Sequence, residues 1–543
     1  MPTPSDIPLA PVRSVNAFDA ACILAALWAL VRVLRVARWR MKTTRLRGPP
    51  STSIIYGVSR DIIVSTNTNA MYERWAEEYG VAYVIPTVLG SSAIVLCDPK
   101  AIAHFYARET WTYVLTPFAS RLLKGVIGSG LLWVEGETHR RQRKSLTPAF
   151  SHAAIRQLTS VFYDSSYKAK SAWDAAIESS KEGTAVIEVQ NWMNHVALDT
   201  IGIAGFSHDF GSLDGKHSVV TEVLDNFRGN PKASALNRFV FLLAQVFPVI
   251  AKTPTHRRKL IDKLNVAMGE ISNDLLIRSR REKDMNVSDT DVGKSIMELL
   301  ISAEDQDAEL YLSNEEALSQ IKVLLLAGYE TTSITLTWAL IELSQHPNVQ
   351  ARLREELLVF GPDPTYDQLK ANLLYLDAVV HEILRLHPAV PEFTRIAAAD
   401  DVIPLSEPVC TASGKMTESI SVAKGTFISI PAASINCSTA IWGPDAKQFK
   451  PDRWLTEEGI SGKAKEVQGH RHLLTFVDGP RTCIGKDFAI IEIKIVLSVL
   501  VKHFVFELRA PETRVKILRG ILPRPRIVGE NGFGVPLRIR RHE

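Results

Sequence analysis

Cysteine is scarce in this chain. Its 543 residues include five cysteines, Cys22, Cys97, Cys410, Cys437 and Cys483, an odd number without CxxC or CxxH spacing. This pattern argues against a disulfide scaffold and against a zinc site. A reducing compartment fits these cysteines best.

The chain also lacks linkers, repeats and a strong charge bias. No Gly/Ser-rich or Pro-rich linker, internal repeat or low-complexity tract interrupts it, so one large helical body is expected although its length alone favours several domains. Apolar residues make up 46% of the chain and charged residues 22%, which is the balance of a globular protein with a sizeable core. The formal net charge is +4 with the basic residues spread along the chain, which does not indicate a nucleic-acid partner.

The amino-terminal segment predicts a membrane anchor. Ala20–Val31 is an uncharged apolar run of 12 residues, and the window from Ala17 to Ala37 reaches 21 residues if its charged side chains snorkel. Seven basic residues follow between positions 32 and 47, which keeps the following body on the cytoplasmic side and disfavours a cleaved signal peptide. Residues 1–47 are therefore an expected anchor and basic stop-transfer segment, and residues 48–543 the catalytic domain; a helix lying in the membrane interface is the alternative.

A loop around Cys483 carries the strongest chemical signal. A haem iron that cleaves an O–O bond benefits from an electron-rich axial thiolate, which needs nearby donors. An apolar pattern from Ile484 to about Leu500 predicts a helix that begins just after Cys483, so free N–H groups and the helix dipole would lower the pKa of the thiol. Gly479 and Gly485 would let the backbone approach a flat macrocycle, and Arg481 is suited to pair with a haem propionate. The alternative is that Cys483 is one more buried structural cysteine.

These residues resemble the haem-binding loop of the cytochrome P450 superfamily. Phe476, Gly479, Arg481, Cys483 and Gly485 have the family's residue types at the family's spacing. The resemblance implies a mainly α-helical fold with a small β region, haem b as cofactor, and Cys483 as the axial ligand to the iron.

A second motif resembles the family's buried Glu-Arg network. Leu373–Leu386 predicts a helix halted by Pro388, and Glu382 and Arg385 lie three residues apart on one face of it. In isolation such a pair is usually solvated. The resemblance implies that both side chains are buried together with Arg453.

A long helix is predicted between Ser313 and His346. Glu316, three residues after Ser313, completes a capping box at its start. Gly328 in its middle costs helix stability relative to alanine, so a close approach by another element is expected there.

Next to that glycine lie Glu330 and Thr331. The Thr331 hydroxyl can reach the carbonyl of Ala327, four residues earlier, and open the helix locally. In a random helix, Thr331 would only bond its own backbone and Glu330 would face solvent. The resemblance implies instead that this acid and alcohol pair lies where dioxygen binds and delivers protons.

Three further residues are candidates for holding the haem propionates. Many family members have Trp and then Arg four residues later at a propionate; here His139 occupies the Trp position and Arg143 keeps the Arg. This departure leaves the role of His139 open. Arg395, after the Glu-Arg helix, is the third candidate.

The resemblance implies a monooxygenase that obtains electrons from another protein. Glycines 125, 128 and 130 do not form a GxGxxG pattern after a strand, so an NADPH-dependent flavoprotein reductase in the same membrane is the expected donor. It would dock on a basic patch near Arg140, Arg141 and Lys486. A peroxide-using or isomerising haem-thiolate enzyme and a non-enzymatic haem sensor are the alternatives.

The substrate is expected to be a lipophilic small molecule. Residues 111–118 and 390–394, which line the pocket by family position, are apolar and aromatic. The terminal anchor and the lack of a fused reductase resemble microsomal members of the endoplasmic reticulum. Fungal secondary metabolism with a terpenoid-like substrate, or xenobiotic oxidation, is the expected role.

Overall fold

Helices form most of the protein. The computed structural model describes residues 17–216, 256–284, 311–510, 512–518, 522–529 and 534–542. The α-helices in these ranges are Ala17–Lys42, Ser59–Val64, Thr68–Tyr79, Pro99–Ala107, Pro117–Ile127, Gly136–Leu146, His152–Gln157, Thr159–Glu178, Val189–Phe206, His256–Asp284, Asn314–Gln345, Pro347–Phe360, Tyr366–Ala371, Leu374–Leu386, Ala432–Asn436, Thr439–Trp442, Gly462–Lys465 and Lys486–His503.

Four small sheets accompany the helices. Their strands are β1 Ala82–Pro86, β2 Ser92–Leu96, β3 Tyr113–Leu115, β4 Thr184–Glu188, β5 Phe393–Ala397, β6 Asp401–Cys410, β7 Met416–Val422, β8 Phe427–Ile430, β9 Phe504–Leu508, β10 Val515–Leu518, β11 Arg524–Ile527 and β12 Pro536–Arg541. One sheet has the order β1-β2-β8-β5-β3, with only β2 and β8 parallel, and a second has the order β4-β12-β9. The pairs β6-β7 and β10-β11 complete the set. The expected mainly helical fold with a small β region is confirmed.

The helix Asn314–Gln345, hereafter the central helix, crosses the core. Ser313 and Glu316 form the predicted capping box at its start, which satisfies two of the N–H groups that a helix end leaves free. At Gly328 a Cβ would lie 2.8 Å from the side chain of Ile201, on the packed helix Val189–Phe206. The expected close approach at this glycine is confirmed, and it allows the two helices to pack tightly.

The helix Lys486–His503, hereafter the cysteine helix, is buried along nearly its whole length. It begins two residues later and ends three residues later than the predicted range of 484–500. The helix Leu374–Leu386, hereafter the Glu-Arg helix, begins one residue after its predicted start. Both pack against the central helix, so the three predicted motif-bearing helices meet in one core.

At the amino terminus, the helix Ala17–Lys42 exposes its apolar side chains. Leu24 is 67% exposed and Val33 63% exposed. The uninterrupted apolar part of this helix, Cys22–Val31, is shorter than a bilayer span. Among the described helices, the central helix alone has the length and hydropathy of a span, and it is mostly buried in the protein core. Residues 1–16 of the predicted anchor segment lie outside the described residues.

Candidate functional site

The loop 476–485, hereafter the cysteine loop, is held by short-range hydrogen bonds. The backbone N–H of Cys483 donates to the carbonyl of Phe476 over 2.8 Å. The Thr482 hydroxyl donates to the carbonyl of Gly479 over 2.7 Å, closing the 3₁₀ turn Gly479–Arg481. The cysteine helix starts immediately afterwards, with Gly485 at its N-cap. Cys483 therefore lies just before a helix amino terminus, as predicted.

Gly479 has a structural role in packing against protein backbone, besides the one expected from the sequence. Its φ is +68°, and a Cβ there would collide with the carbonyl oxygen of Tyr106. A side chain would therefore be strained by the backbone conformation and excluded by the helix Pro99–Ala107. A Cβ at Gly485 would make only an ordinary contact with Phe150, 3.7 Å away. The observed contact that requires glycine in this loop is with protein backbone.

The Cys483 side chain is exposed although much protein surrounds it. Cys483 is accessible to solvent, yet burial raises the pKa of its thiol. A hydrogen bond from the Gly485 backbone and the charges of Arg143 and Lys486 lower the pKa. The helix terminus thus acts in the predicted direction, and burial has the larger, opposite effect on the pKa.

Arg143 and His139 lie on the helix Gly136–Leu146, beside the cysteine loop. Arg143 donates from Nη1 to the carbonyl of Thr482 over 2.6 Å, which places a positive charge next to the residue preceding Cys483. His139 is buried at 3% exposure. Burial, with Arg481 and Arg143 nearby, lowers the pKa of His139 to about 3. His139 is therefore a neutral side chain at neutral pH.

Arg481 and Arg395 are the two arginines whose surroundings show whether the site fits the propionates of a haem. Arg481 donates from Nη2 to Glu135 over 2.5 Å, and Arg395 pairs through Nη2 with Glu109 over 2.7 Å. The Nε atoms of both arginines are buried without a hydrogen-bond partner among the described residues. Unpaired buried donors are costly, and carboxylates are the acceptors that guanidinium groups bind best. Two such donors fit the two propionates of haem b.

Glu382 lies in a fully buried polar network. Its carboxylate accepts two bonds from Arg385, at 2.8 and 2.7 Å, one from Trp454 Nε1 at 3.0 Å and one from the Lys450 backbone at 3.0 Å. Arg453 Nε lies 3.4 Å from the same carboxylate. The structure thus brings together Glu382, Arg385 and Arg453, the three residues grouped from the sequence. Trp454 was not foreseen, because a lone Trp after a Pro-Asp-Arg stretch has no distinguishing pattern.

Thr331 and Glu330 occupy a partly accessible stretch of the central helix. The Thr331 hydroxyl donates to the carbonyl of Ala327 over 2.7 Å, as predicted. Glu330 does not simply face solvent: its carboxylate accepts a bond from Arg524 Nη2 over 2.5 Å. Arg524 lies on β11, nearly 200 residues away in sequence, and is 5% exposed. Sequence reasoning missed Arg524 because no motif surrounds it.

Comparison with known proteins agrees with these observations. The family model described as Cytochrome P450 matches residues 48–527. The chain is similar to Cytochrome P450 monooxygenase claQ of Ampulloclitocybe clavipes, with 53% identity over 98% of this chain and 100% of the relative. It is also similar to Cytochrome P450 monooxygenase claP of the same fungus, with 54% identity over 98% and 100% of the two chains. Cytochrome P450 monooxygenase 205 of Postia placenta is 34% identical over 97% and 99%.

The match thus begins at Gly48, where the predicted body begins, and includes the cysteine loop, the Glu-Arg helix and the central helix. The relatives covering nearly the whole chain are named monooxygenases. These matches agree with the cysteine before a helix amino terminus and with the two arginine donors that fit a haem. The chain therefore belongs to the cytochrome P450 family, whose cofactor is haem b.

Proposed function

We propose that this protein inserts one oxygen atom of dioxygen into a lipophilic small molecule, with Cys483 as the axial ligand of the haem iron. The observation that carries the proposal is the accessible Cys483 thiol at a helix amino terminus, together with Arg395 and Arg481, whose buried Nε atoms have no hydrogen-bond partner among the described residues. Haem with a thiolate ligand supplies the oxidising chemistry that activates dioxygen. The other residues bind, orient and move protons.

Three groups near Cys483 favour its anionic form against the effect of burial. The Gly485 N–H group donates toward the sulfur, and Arg143 and Lys486 add positive charge. These interactions oppose the cost of burying a thiolate. Arg143 also holds the carbonyl of Thr482, so the same side chain orients the loop backbone and favours the charge on its sulfur.

Glu330 and Thr331 are the proposed proton-handling pair. Thr331 uses its hydroxyl hydrogen in a bond to Ala327, so its oxygen still has lone pairs to accept a proton donor. The Glu330 carboxylate is held in an ion pair with Arg524. Transfer of a proton from solvent to Glu330 would therefore weaken the ion pair between Glu330 and Arg524.

The proposed electron donor is a separate NADPH-dependent flavoprotein reductase. Arg140 is 75% exposed and pairs only at the surface with Glu137, so it is available to a negatively charged partner. Arg141 is less available because it pairs with Glu316 over 2.5 Å. Within the predicted patch of Arg140, Arg141 and Lys486, Arg140 should therefore contribute most to docking.

We place the protein at the endoplasmic reticulum membrane, with the catalytic body on the cytoplasmic side. The support is the exposed apolar surface of the helix Ala17–Lys42, followed by Arg45 and Arg47 immediately before the body. Positive charge after an apolar segment retains the following chain in the cytoplasm.

The proposed substrate is lipophilic, within fungal secondary metabolism and terpenoid-like, or a xenobiotic. The two segments expected to line the pocket are neighbours, because β3 pairs with β5 and Leu115 lies opposite Arg395. Trp111 in the first segment is 52% exposed. The similar proteins come from two fungi, which supports the fungal setting.

The central test compares two cysteine variants. Cys483→Ala should lose the absorption and paramagnetic spectra of a thiolate-bound haem, whereas Cys410→Ala, which removes a partly buried thiol on β6, should retain them. Both would be expressed in microsomes with reductase and supplied with a panel of lipophilic molecules, and the products analysed. Unchanged spectra in Cys483→Ala would refute the assignment of the axial ligand.

A further inference from the structure

Glu109 is a fully buried acid that no sequence motif marks. It has 0% exposure and follows the helix Pro99–Ala107. The next residue, Thr110, has a φ of +72°, and its hydroxyl accepts a hydrogen bond from the Gly136 N–H over 2.9 Å. Glu109 therefore lies in a sharply turned segment that is tied to the loop containing Glu135.

Stability alone does not account for an acid at this position. The Glu109 Oε1 lies 2.7 Å from Arg395 Nη2, which makes an ion pair, but neither carboxylate oxygen has a partner with hydrogen-bond geometry among the described residues. Burial raises the pKa of Glu109, and Arg395 and Arg481 lower it, so its ionised form depends on these two arginines. A buried ion pair without well-formed hydrogen bonds is usually no more stable than a well-packed apolar pair.

The same arrangement occurs twice. Arg395 binds Glu109 through Nη2 and leaves its Nε unpaired, and Arg481 binds Glu135 through Nη2 and leaves its Nε unpaired. The side chains of the two arginines are only 13% and 8% exposed. In each case an acid restrains one edge of the guanidinium, and another edge remains free to donate.

We propose that Glu109 is a positioning residue for the haem, fixing Arg395 so that its unpaired Nε donor faces a propionate of the cofactor. Glu135 positions Arg481 in the same way. This inference rests on the proposed function, since it requires haem in the site. Its physical basis is preorganisation: a flexible arginine that is already held in place loses less freedom when it binds a carboxylate. Tyr106, whose buried hydroxyl has no hydrogen-bond partner in the described part of the chain, lies close enough to interact electrostatically with both Glu109 and Arg395.

The test is the rate of haem transfer from the purified holoenzyme to excess apomyoglobin. Glu109→Ala should speed haem loss by about ten-fold or more, the effect expected when a charge-assisted hydrogen bond is weakened. Glu109→Gln keeps an acceptor for Arg395 without the charge, so it should speed haem loss by only about three-fold. Asp401→Ala is the matched control, because Asp401 binds Tyr113 and His104 of the same region, and Arg395 is not among its hydrogen-bond or ion-pair partners in the described part of the chain. It should leave the transfer rate close to that of the wild type.

A second set of variants separates positioning from general destabilisation. If Glu109 acts through Arg395, then adding Glu109→Ala or Glu109→Gln to Arg395→Ala should cause no further acceleration. Should Glu109→Ala fail to fold, the Glu109→Gln comparison in the two backgrounds gives the answer. A wild-type transfer rate in both Glu109 variants, equal acceleration by Asp401→Ala, or full additivity with Arg395→Ala would each overturn the proposal. A wild-type holoenzyme with no thiolate-type spectrum would instead refute the proposed function.

Discussion

Replacement of Glu382 with alanine should prevent the protein from holding haem. Glu382 and Arg385 have 0% exposure, and Arg453 has 3%. The substitution removes the acceptor for both guanidinium groups, for the Trp454 indole N–H and for the Lys450 backbone N–H. Breaking a buried ion pair by removing one partner costs about 3–5 kcal/mol, and each unsatisfied neutral donor adds about 1–3 kcal/mol.

The sum is therefore at least about 5 kcal/mol, compared with a total free energy of unfolding of about 5–15 kcal/mol for typical domains. The network joins the Glu-Arg helix to the chain around Lys450 and Arg453, and Arg385 also donates to the carbonyls of Asn436 and Ala446. We therefore expect loss of order in the surroundings of the cysteine loop. Glu382→Asp, which keeps the charge on a shorter side chain, should show a smaller defect.

Glu137→Ala is the matched control, because Glu137 and Arg140 form a pair with the same three-residue helical spacing at the surface, with 69% and 75% exposure. An exposed pair contributes about 0–1 kcal/mol. The assay is the haem content per chain, together with urea unfolding followed by circular dichroism. Normal haem content and unchanged stability in Glu382→Ala would show that the buried network does not support the site.

Three other predictions concern protons and partners. Thr331→Ala should still consume NADPH but release hydrogen peroxide in place of oxidised product, whereas Thr331→Ser should remain coupled; tight coupling in the alanine variant would count against a proton-handling role. Burial lowers the pKa of His470 from 6.5 to about 3. Between these two pH values the unfolded chain binds a proton at this residue more readily than the folded protein does, so the free energy of unfolding should fall as the pH drops. The urea midpoint of His470→Phe should depend less on pH between about 7.5 and 5.5 (about one unit either side of the ordinary pKa of histidine) than that of the wild type; an equal loss in both proteins would contradict this. Turnover with reductase should fall with added salt, and Arg140→Glu should raise the KM for reductase; a salt-independent rate would argue against docking on this patch.

The individual elements of the fold could be predicted from local sequence. The capping box at Ser313, the helix after Cys483 and the Glu-Arg helix follow from spacing and side-chain chemistry within a few residues. Their boundaries were correct to within three residues. The hydrogen bond from Thr331 to Ala327 was predictable for the same reason, since both residues lie on one turn of a helix.

Only the tertiary structure decided which distant charges meet. Arg524 reaches Glu330 and Arg395 reaches Glu109 because strands from remote parts of the chain pack against helices, and no local pattern encodes such pairings. The pKa of the Cys483 thiol likewise depends on the tertiary structure. Its position before a helix could be predicted from the sequence, but the burial that raises its pKa comes from the whole surrounding protein. The sequence therefore determined the chemistry available to this protein, and the packing determined how each charge is held and which donors remain free for a cofactor.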